Sequence, residues 1–587
     1  MTSPKDPPWG LLSRYETLFL LSLALIVILS YANTLGSPFI FDSRNNIESN
    51  PHIRISKITL NDLADAAFKS PEKQRPLSNI SFALNYYLHG YNVVGYHVVN
   101  ILIHISAGFF LYYFVKSTLR TPALRSRYRN DIWISFFTAA IWMIHPLQTQ
   151  SVSYTVQRMN SLCALFYILS ILLYARFRLS AQQRNKWWLF SGCILAGALS
   201  LASKQIAATL PVFIIIYEWY FFRDLNLKWL KNHIPLLTGC LLLAAVIGLA
   251  LLGSNPLDGI LQGYKSRDFT LIQRLLTEPR VIIFYLSLLL WPHPSRLNLD
   301  HDFTLSSSLT DPLTAFFAIL TIAALIGLAV ATARKHRLFS FCILWFFGNL
   351  MIESSIIALE IVFEHRVYLP SMTFSLIIAL VVCRWVKPQW LQAVLLGIMV
   401  TVGAVWTYER NAVYSDRITF WQDCVNKSPR KSRPYNNLGV ALADQGHHKE
   451  AIEMYRKALQ IDPDYADPIG NIGLSLAEQG KVEESITQFS KALEINPKDI
   501  KTLNNLGASL IVMRRYTEAV QHLSKALTLD PYYAQAHNNL GAALQRQGRV
   551  EEAIEHFSMA VKLDPNYARA FNNLGIVLAY QGRFEEA

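Results

Sequence analysis

Thirty-four residues separate each proline in the series Pro429, Pro463, Pro497, Pro531 and Pro565, and the same interval separates Gly439, Gly473, Gly507, Gly541 and Gly575. A fixed period of that size marks a solenoid, in which a small unit that cannot bury its own apolar face stacks on copies of itself. Ahead of this array the pattern changes. Roughly the first 410 residues carry one apolar run after another, so a repeat array follows something embedded in a bilayer.

A 34-residue period of helical hairpins resembles the tetratricopeptide repeat (TPR), whose stacks commonly form peptide-binding surfaces. The predicted fold is all-α: a polytopic membrane bundle over 1–408 with an outer loop at 34–95, a linker over 409–428, and a TPR solenoid over 429–587. The array comprises four full repeats and a truncated fifth, and whatever follows Ala587 is outside the sequence.

Charged residues make up 16% of the chain and mean hydropathy is +0.24, which excludes a wholly soluble protein. The net charge of +13 is explained by basic loops beside spans, because no basic helix or aromatic-basic platform argues for nucleic acid. Cys163, Cys193, Cys240, Cys342 and Cys383 lie in apolar runs and only Cys424 lies outside one, so no disulfide framework is expected. The run at 17–30 reads as a retained span, since Tyr31-Ala32-Asn33 makes a poor signal cleavage site.

Eleven spans are expected, centred on Ile26, Ser106, Phe137, Ile168, Ile194, Phe213, Leu243, Ile322, Phe346, Ile377 and Val394. A twelfth run, 281–291, is short, precedes Pro292 and Pro294, and reads as re-entrant or interfacial. Lys116, Arg120, Arg125, Arg127 and Arg129, then Arg176, Arg178, Arg184 and Lys186, then Arg223, Lys228 and Lys231 mark successive cytoplasmic loops. If 281–291 does not cross, Arg334, Lys335, Arg337, Arg384 and Lys387 join them. The array then shares the outer face with the 34–95 loop, while Arg410 and Arg417 run against the rule.

Several polar residues interrupt this apolar background. Asp42 follows Phe39-Ile40-Phe41, which holds it near the membrane surface. It either caps the helix that follows or acts there as a general base. His97, Asn100 and His104 share one face of the second span. The two histidines are about 10 Å apart along the helix, too far to share a metal ion. They serve either interhelical hydrogen bonding or a site, as does His145 beside Pro146. Arg158, Lys204 and Arg366 each need an anionic partner; Glu364 could supply one and a lipid phosphate another. No metal site and no cofactor are expected.

The ordered motifs together resemble the eukaryotic transmembrane-and-TPR O-mannosyltransferases, the TMTC family, of which this chain reads as a bacterial-type relative. They are Asn33-Thr34-Leu35, Phe39-Ile40-Phe41-Asp42, Arg75-Pro76-Leu77, and the run His97-Val98-Val99-Asn100-Ile101-Leu102-Ile103-His104. His145-Pro146-Leu147-Gln148, Arg158, Ser203-Lys204-Gln205, and Glu364-His365-Arg366-Val367-Tyr368-Leu369-Pro370-Ser371 complete the series. The resemblance covers nearly the whole chain and implies the GT-C fold of glycosyltransferases that use polyprenyl-phosphate sugars. It implies that Asp42 removes the proton from a serine or threonine hydroxyl that attacks the anomeric carbon. Arg158, Lys204 or Arg366 would stabilise the leaving lipid phosphate, with Arg75, His97, Asn100, His104, His145 and Glu364 in support. The donor is then a lipid-linked sugar, a substrate and not a cofactor. Two departures stand out: the family usually has a second acid where this chain has Ser43, and Glu where it has Gln205.

Within the array, the glycines and Ala458, Ala492, Ala526 and Ala560 read as close-approach positions, with Tyr455, Phe489 and Phe557 expected to fill between hairpins. Asn437, Asn471, Asn505, Asn539 and Asn573 recur at the same period. They either bind an extended peptide, as in the similar array of the O-linked N-acetylglucosamine transferases, or bond within and between repeats. The functional expectation is a membrane glycosyltransferase acting on exported proteins, with the array recruiting the acceptor. Its setting would be a bacterial inner membrane with the array on the periplasmic side. The rivals are a non-catalytic membrane-anchored scaffold for envelope or secretion assemblies and, more weakly, a transporter, for which no repeated membrane halves are evident.

Overall fold

The computed structural model describes residues 14–128, 130–251, 261–265 and 267–587; Arg129, counted among the loop cations, lies outside them. The described residues form helices and turns without a strand. Contacts divide the chain into two units, Met1–Asp416 and Arg417–Ala587.

Each of the eleven apolar runs falls on a helix of the first unit. Among the described residues, Glu16–Thr34, Val93–Leu119, Thr155–Leu179, Thr314–Thr332 and Gln389–Ala412 are long and apolar enough to cross a bilayer. Asp131–Met143, Gln205–Phe221, Arg337–Leu350 and Ser371–Trp385 are apolar but short. The reason is local. Asp131–Met143 ends at His145-Pro146, and the chain continues through short turns, 146–157, of which nearly every residue is buried in protein. Irregular backbone is tolerated at that depth because protein groups satisfy its amides. Helix Leu271–Leu290, which contains most of the 281–291 run, begins with a Thr270–Gln273 capping box and buries Arg274 and Glu278 in its first half.

Exposed side chains show what surrounds this unit. On Thr314–Thr332 only Ala315, Ala318 and Ala329 are buried, while Phe317, Leu320 and Val330 are 54%, 54% and 65% exposed. Trp187, Trp188, Trp385 and Trp390 stand exposed near helix ends, the places where aromatic side chains anchor spans at an interface. Such surface suits lipid and not water. The 34–95 segment is folded: it contains helix Leu60–Lys69, capped by Thr59, and helix Pro76–His89, opened by a proline at its first turn.

The second unit is a run of antiparallel helix pairs from Arg417–Lys427 to Ala568–Tyr580. A Cβ on Gly473, Gly507 or Gly541 would lie 2.8, 2.5 or 2.9 Å from the side chain of Phe489, Leu523 or Phe557, and one on Gly439 would meet Tyr455. The glycines are therefore the notches into which the second helix of each hairpin fits its large residue. Gly446, Gly480 and Gly548 adopt positive φ of 83°, 77° and 79° between paired helices, and Gly582 adopts 75° after the last helix. Arg514, at the equivalent point of the third repeat, adopts 59° despite having a side chain.

Candidate functional site

Asp42 sits one residue after Phe41, whose φ of 47° is left-handed, a conformation that a bulky residue adopts only when its surroundings enforce it. The enforcement is visible at Tyr154. The Asp42 backbone N–H donates to the Tyr154 hydroxyl oxygen at 3.0 Å, and that hydroxyl is also hydrogen-bonded to the Asp42 carboxyl. Burial, with the Asp42 carboxylate beside it, pushes the Tyr154 phenol well above its usual range, so it remains a proton-bearing donor. Asn46 Nδ2 donates to the Asp42 carbonyl at 2.9 Å and ties the next turn to it. Asp42 itself is half-buried, so one polar group of this turn reaches the protein surface under fixed geometry.

The neighbouring Ser43 is fully buried and its hydroxyl accepts the Val156 N–H at 3.2 Å. Gln205 donates its amide to Gln74 Oε1 at 2.8 Å. Both positions where the family usually carries an acid are thus occupied here by neutral braces. Among the described residues no cluster of three or more His, Cys, Asp or Glu is arranged to hold a metal ion.

Residues 145–160 connect nearly every predicted motif. His145 contacts the Leu289 carbonyl through Nε2 at 3.1 Å and caps the turn after it by accepting from Leu147 N–H. Gln148 and Trp142 both donate to Ser371 Oγ at 3.1 Å. Gln150 Oε1 accepts the His365 N–H at 2.7 Å. Asn160 donates to Ser151 Oγ and to the His365 carbonyl, and accepts from Lys204 at 3.2 Å. Met159 Sδ lies 3.0 Å from Arg75.

The second-span residues pin this strip to the bundle. Asn100 donates to the Val152 and Thr155 carbonyls at 3.0 and 3.3 Å. His104 contacts the Met143 carbonyl and the Tyr368 hydroxyl, so both ring nitrogens are engaged. His97 Nε2 contacts the Ser37 carbonyl at 3.0 Å, fixing the start of the Asp42 loop. These three side chains position backbone.

The expected cations separate into different roles. Arg158 is fully buried; it donates to Asn100 and Asn85 at 2.7 Å and to the Tyr96 and Ser81 carbonyls, and its guanidinium lies 4.7 Å from the Phe82 ring centroid. Neutral acceptors surround it, so it ties these elements together. Lys204 pairs with Glu353 at 2.6 Å. Arg366 donates to the Ile361 and Glu360 carbonyls and lies 3.8 Å from Glu278, which pairs with Arg274 at 2.7 Å.

Glu364, expected to neutralise one of these cations, instead accepts the Asn298 N–H at 2.6 Å and contacts His301 Nε2 at 2.9 Å. Glu353 and Glu278 take its place. Nothing in sequence marks either, since each reaches its partner only through the fold. Burial would raise the Glu353 carboxyl, but Lys204, Arg366 and Arg75 outweigh it and hold the group below the usual carboxylate range.

Arg75 differs from the buried cations. Its side chain is 23% exposed, its nearest carboxylate, Glu72, is 3.7 Å away, and its Nε makes no hydrogen bond. Leu77 N–H and Ser78 Oγ bond the Ala202 and Ser203 carbonyls, so the Arg75-Pro76-Leu77 and Ser203-Lys204-Gln205 motifs meet.

The asparagine series is largely engaged within the array. Asn471, Asn539 and Asn573 donate to Asn436, Asn504 and Asn538 of the preceding repeat at 2.9, 2.9 and 2.8 Å. Asn437 and Asn505 accept from Asn436 and Asn504 at 3.5 and 3.4 Å. Gly470 stands where the partner of Asn505 would be, so that junction lacks the bond.

The tetratricopeptide repeat family matches residues 432–465 and 534–567, and a second TPR repeat family matches 473–510 and 515–548. The chain is 24% identical to "Protein O-mannosyl-transferase Tmtc3" of Drosophila melanogaster over 75% of its own length and 55% of that protein. It is 25% identical to "Protein O-mannosyl-transferase F38B6.6" of Caenorhabditis elegans, over 76% of its own length and 62% of the relative. The chain therefore spans less than two thirds of the length of these relatives. Among solved structures, MamA from Desulfovibrio magneticus is 24% identical, covering 26% of this chain and 88% of that one with a TM-score of 0.25. With its apolar helices and its likeness to these O-mannosyl-transferases, the chain is an integral membrane protein that resembles the TMTC relatives.

Proposed function

We propose that this TMTC-like chain is a protein O-glycosyltransferase whose membrane unit takes a sugar from a polyprenyl-phosphate donor. The TPR array recruits an exported polypeptide as acceptor. The observation that carries the reading is the clamped turn at Asp42, a carboxylate at the surface held by a left-handed residue and a buried tyrosine.

A carboxylate placed this way is suited to take the proton of an arriving serine or threonine hydroxyl as that oxygen attacks the anomeric carbon. Displacement is single-step with inversion: the oxygen–carbon bond forms while the carbon–phosphate-oxygen bond breaks, and the lipid phosphate leaves with the electron pair. The Tyr154 hydroxyl orients the carboxylate. Arg75 is the cation best placed to meet a leaving phosphate, because it is partly exposed while Lys204 and Arg366 are engaged with Glu353, Glu278 and backbone carbonyls. Those buried charges supply a fixed field and do not need to move. Reading the loop and the array on the same outer face, the periplasmic side of a bacterial inner membrane, brings base and recruited acceptor into one compartment.

The test is glycoproteomics of exported proteins from cells carrying the wild type or Asp42→Asn, which keeps shape and removes the base. A hexose-sized mass lost from a defined set of proteins, at unchanged protein abundance, is the expected outcome, with activity down by about 10²–10⁴-fold. Identical glycoprofiles, together with a phenotype on deleting the whole protein, overturn it in favour of a scaffold.

A further inference from the structure

At one end of the helix bundle two turns face each other. One joins helix Leu210–Phe221 to Leu227–Leu251, and the other joins Thr314–Thr332 to Arg337–Leu350. They are tied by an Arg337–Asp224 ion pair at 2.6 Å, and Arg127 from a third loop donates to the Lys335 carbonyl. The turns flank an open, solvent-facing cavity of about 720 Å³ lined by Arg223, Lys228, Arg334 and Arg337, against the single carboxylate of Asp224.

The cavity is built and not incidental. Asp224 and Leu225 adopt left-handed φ of 49° and 54°. Leu225 N–H bonds the Trp219 carbonyl and Asn226 Oδ1 caps the next helix by accepting from Trp229 N–H at 3.0 Å. Arg223 is partly neutralised by Glu218 at 2.7 Å and Arg337 by Asp224. Lys228 and Arg334 make no ion pair or hydrogen bond among the described residues. Two unpartnered cations facing one cavity leave a net positive site.

We propose that this cavity binds the phosphate group of an anionic phospholipid. Basic pockets between spans take such headgroups, because a phosphate there meets several cations at once. The walls select a lipid over a free anion. Leu328 and Val330 below one turn, and Leu227 and Ile234 below the other, are 46%, 65%, 56% and 48% exposed, so acyl chains can continue along apolar helix faces from a headgroup held in the cavity. The site is separate from Asp42 and independent of the transferase reading.

The experiment titrates the full chain in neutral detergent with phosphatidylglycerol, with phosphatidylcholine as the zwitterionic control, and counts bound lipids by native mass spectrometry. Lys228→Gln or Arg334→Gln should each weaken phosphatidylglycerol binding about fivefold, and the pair about twenty-five-fold. Arg125→Gln, an exposed cation outside the cavity, should leave it unchanged. Asp224→Asn should tighten binding several-fold, a gain that misfolding does not produce. Displacement of the lipid by low-millimolar inorganic phosphate would overturn the lipid source in favour of a soluble phosphate ligand. Equal binding by the wild type and the double variant, at equal thermal stability, would overturn the site itself.

Discussion

The two units of this protein use polar residues in opposite ways. In the array, one interaction recurs: an amide of one repeat meets an amide thirty-five residues earlier, at Asn471–Asn436, Asn539–Asn504 and Asn573–Asn538. In the membrane unit the contacts that tie its helices together occur once each and can span the chain, as in His104–Tyr368 or Thr407–Ile144, whose partners are 264 and 263 residues apart. The array distributes its stability over equivalent positions. The membrane unit concentrates it in a few buried groups that have no substitute.

That contrast can be broken most directly at Lys204. Lys204→Met leaves the Glu353 carboxylate buried without its partner, so a loss of about 3–5 kcal/mol is expected by thermal unfolding in detergent. Lys204→Met with Glu353→Leu should recover most of it. The Glu353 group is held below its usual range, so its stabilisation is complete above the ordinary carboxylate range and fades as pH falls through the lowered value. Glu353→Gln should remove that acid dependence; an unchanged dependence would show that the pair is not coupled to folding.

The array's redundancy makes a second, smaller prediction. Gly473→Ala and Gly507→Ala each force a Cβ against a facing side chain and should cost about 1–3 kcal/mol, by similar amounts, read by hydrogen exchange on the full chain. A cost confined to one of them would contradict equivalence. Smaller still, Asn539→Ala should weaken its junction by about 1 kcal/mol, whereas Asn505→Ala, opposite Gly470, should change the array by less than about 0.5 kcal/mol. Equal losses at the two sites would mean that the amide bond is not what couples repeats. A last effect has the opposite sign. Arg514→Gly relieves a left-handed residue that the other repeats assign to glycine, and should stabilise the third repeat by about 0.5–1 kcal/mol.

What the sequence disclosed follows the same division. A 34-residue period identifies each hairpin, its glycine notches and its alanines, because the same packing problem is solved the same way each time. The helices of the membrane unit were legible from apolar runs, but their lengths were not. Short helices that stop at buried turns, such as 146–157, look in sequence like full spans. Asp42, Lys204 and Arg366 were legible as motif residues. Their partners were not: Tyr154, Glu353 and Glu278 carry no local signature, and the choice of Glu364 for a buried cation failed because proximity in sequence to Arg366 says nothing of side-chain direction. For the asparagines, the recurrence in sequence does not show where an amide points, and the structure shows three of the five donating to an amide of the preceding repeat.

The missing bond at Gly470 has a mechanical consequence. A solenoid under tension is a chain of springs in series, and elongation collects in the softest link. Here the link without an asparagine pair lies between the second and third repeats, where only the Ser485–Ser509 hydroxyl contact at 3.2 Å is found among the side-chain bonds of the described residues, and it separates a leading pair of hairpins from the trailing stack. Pulled from its ends, the array should lengthen first by pivoting at that point, with the amide bonds on either side intact.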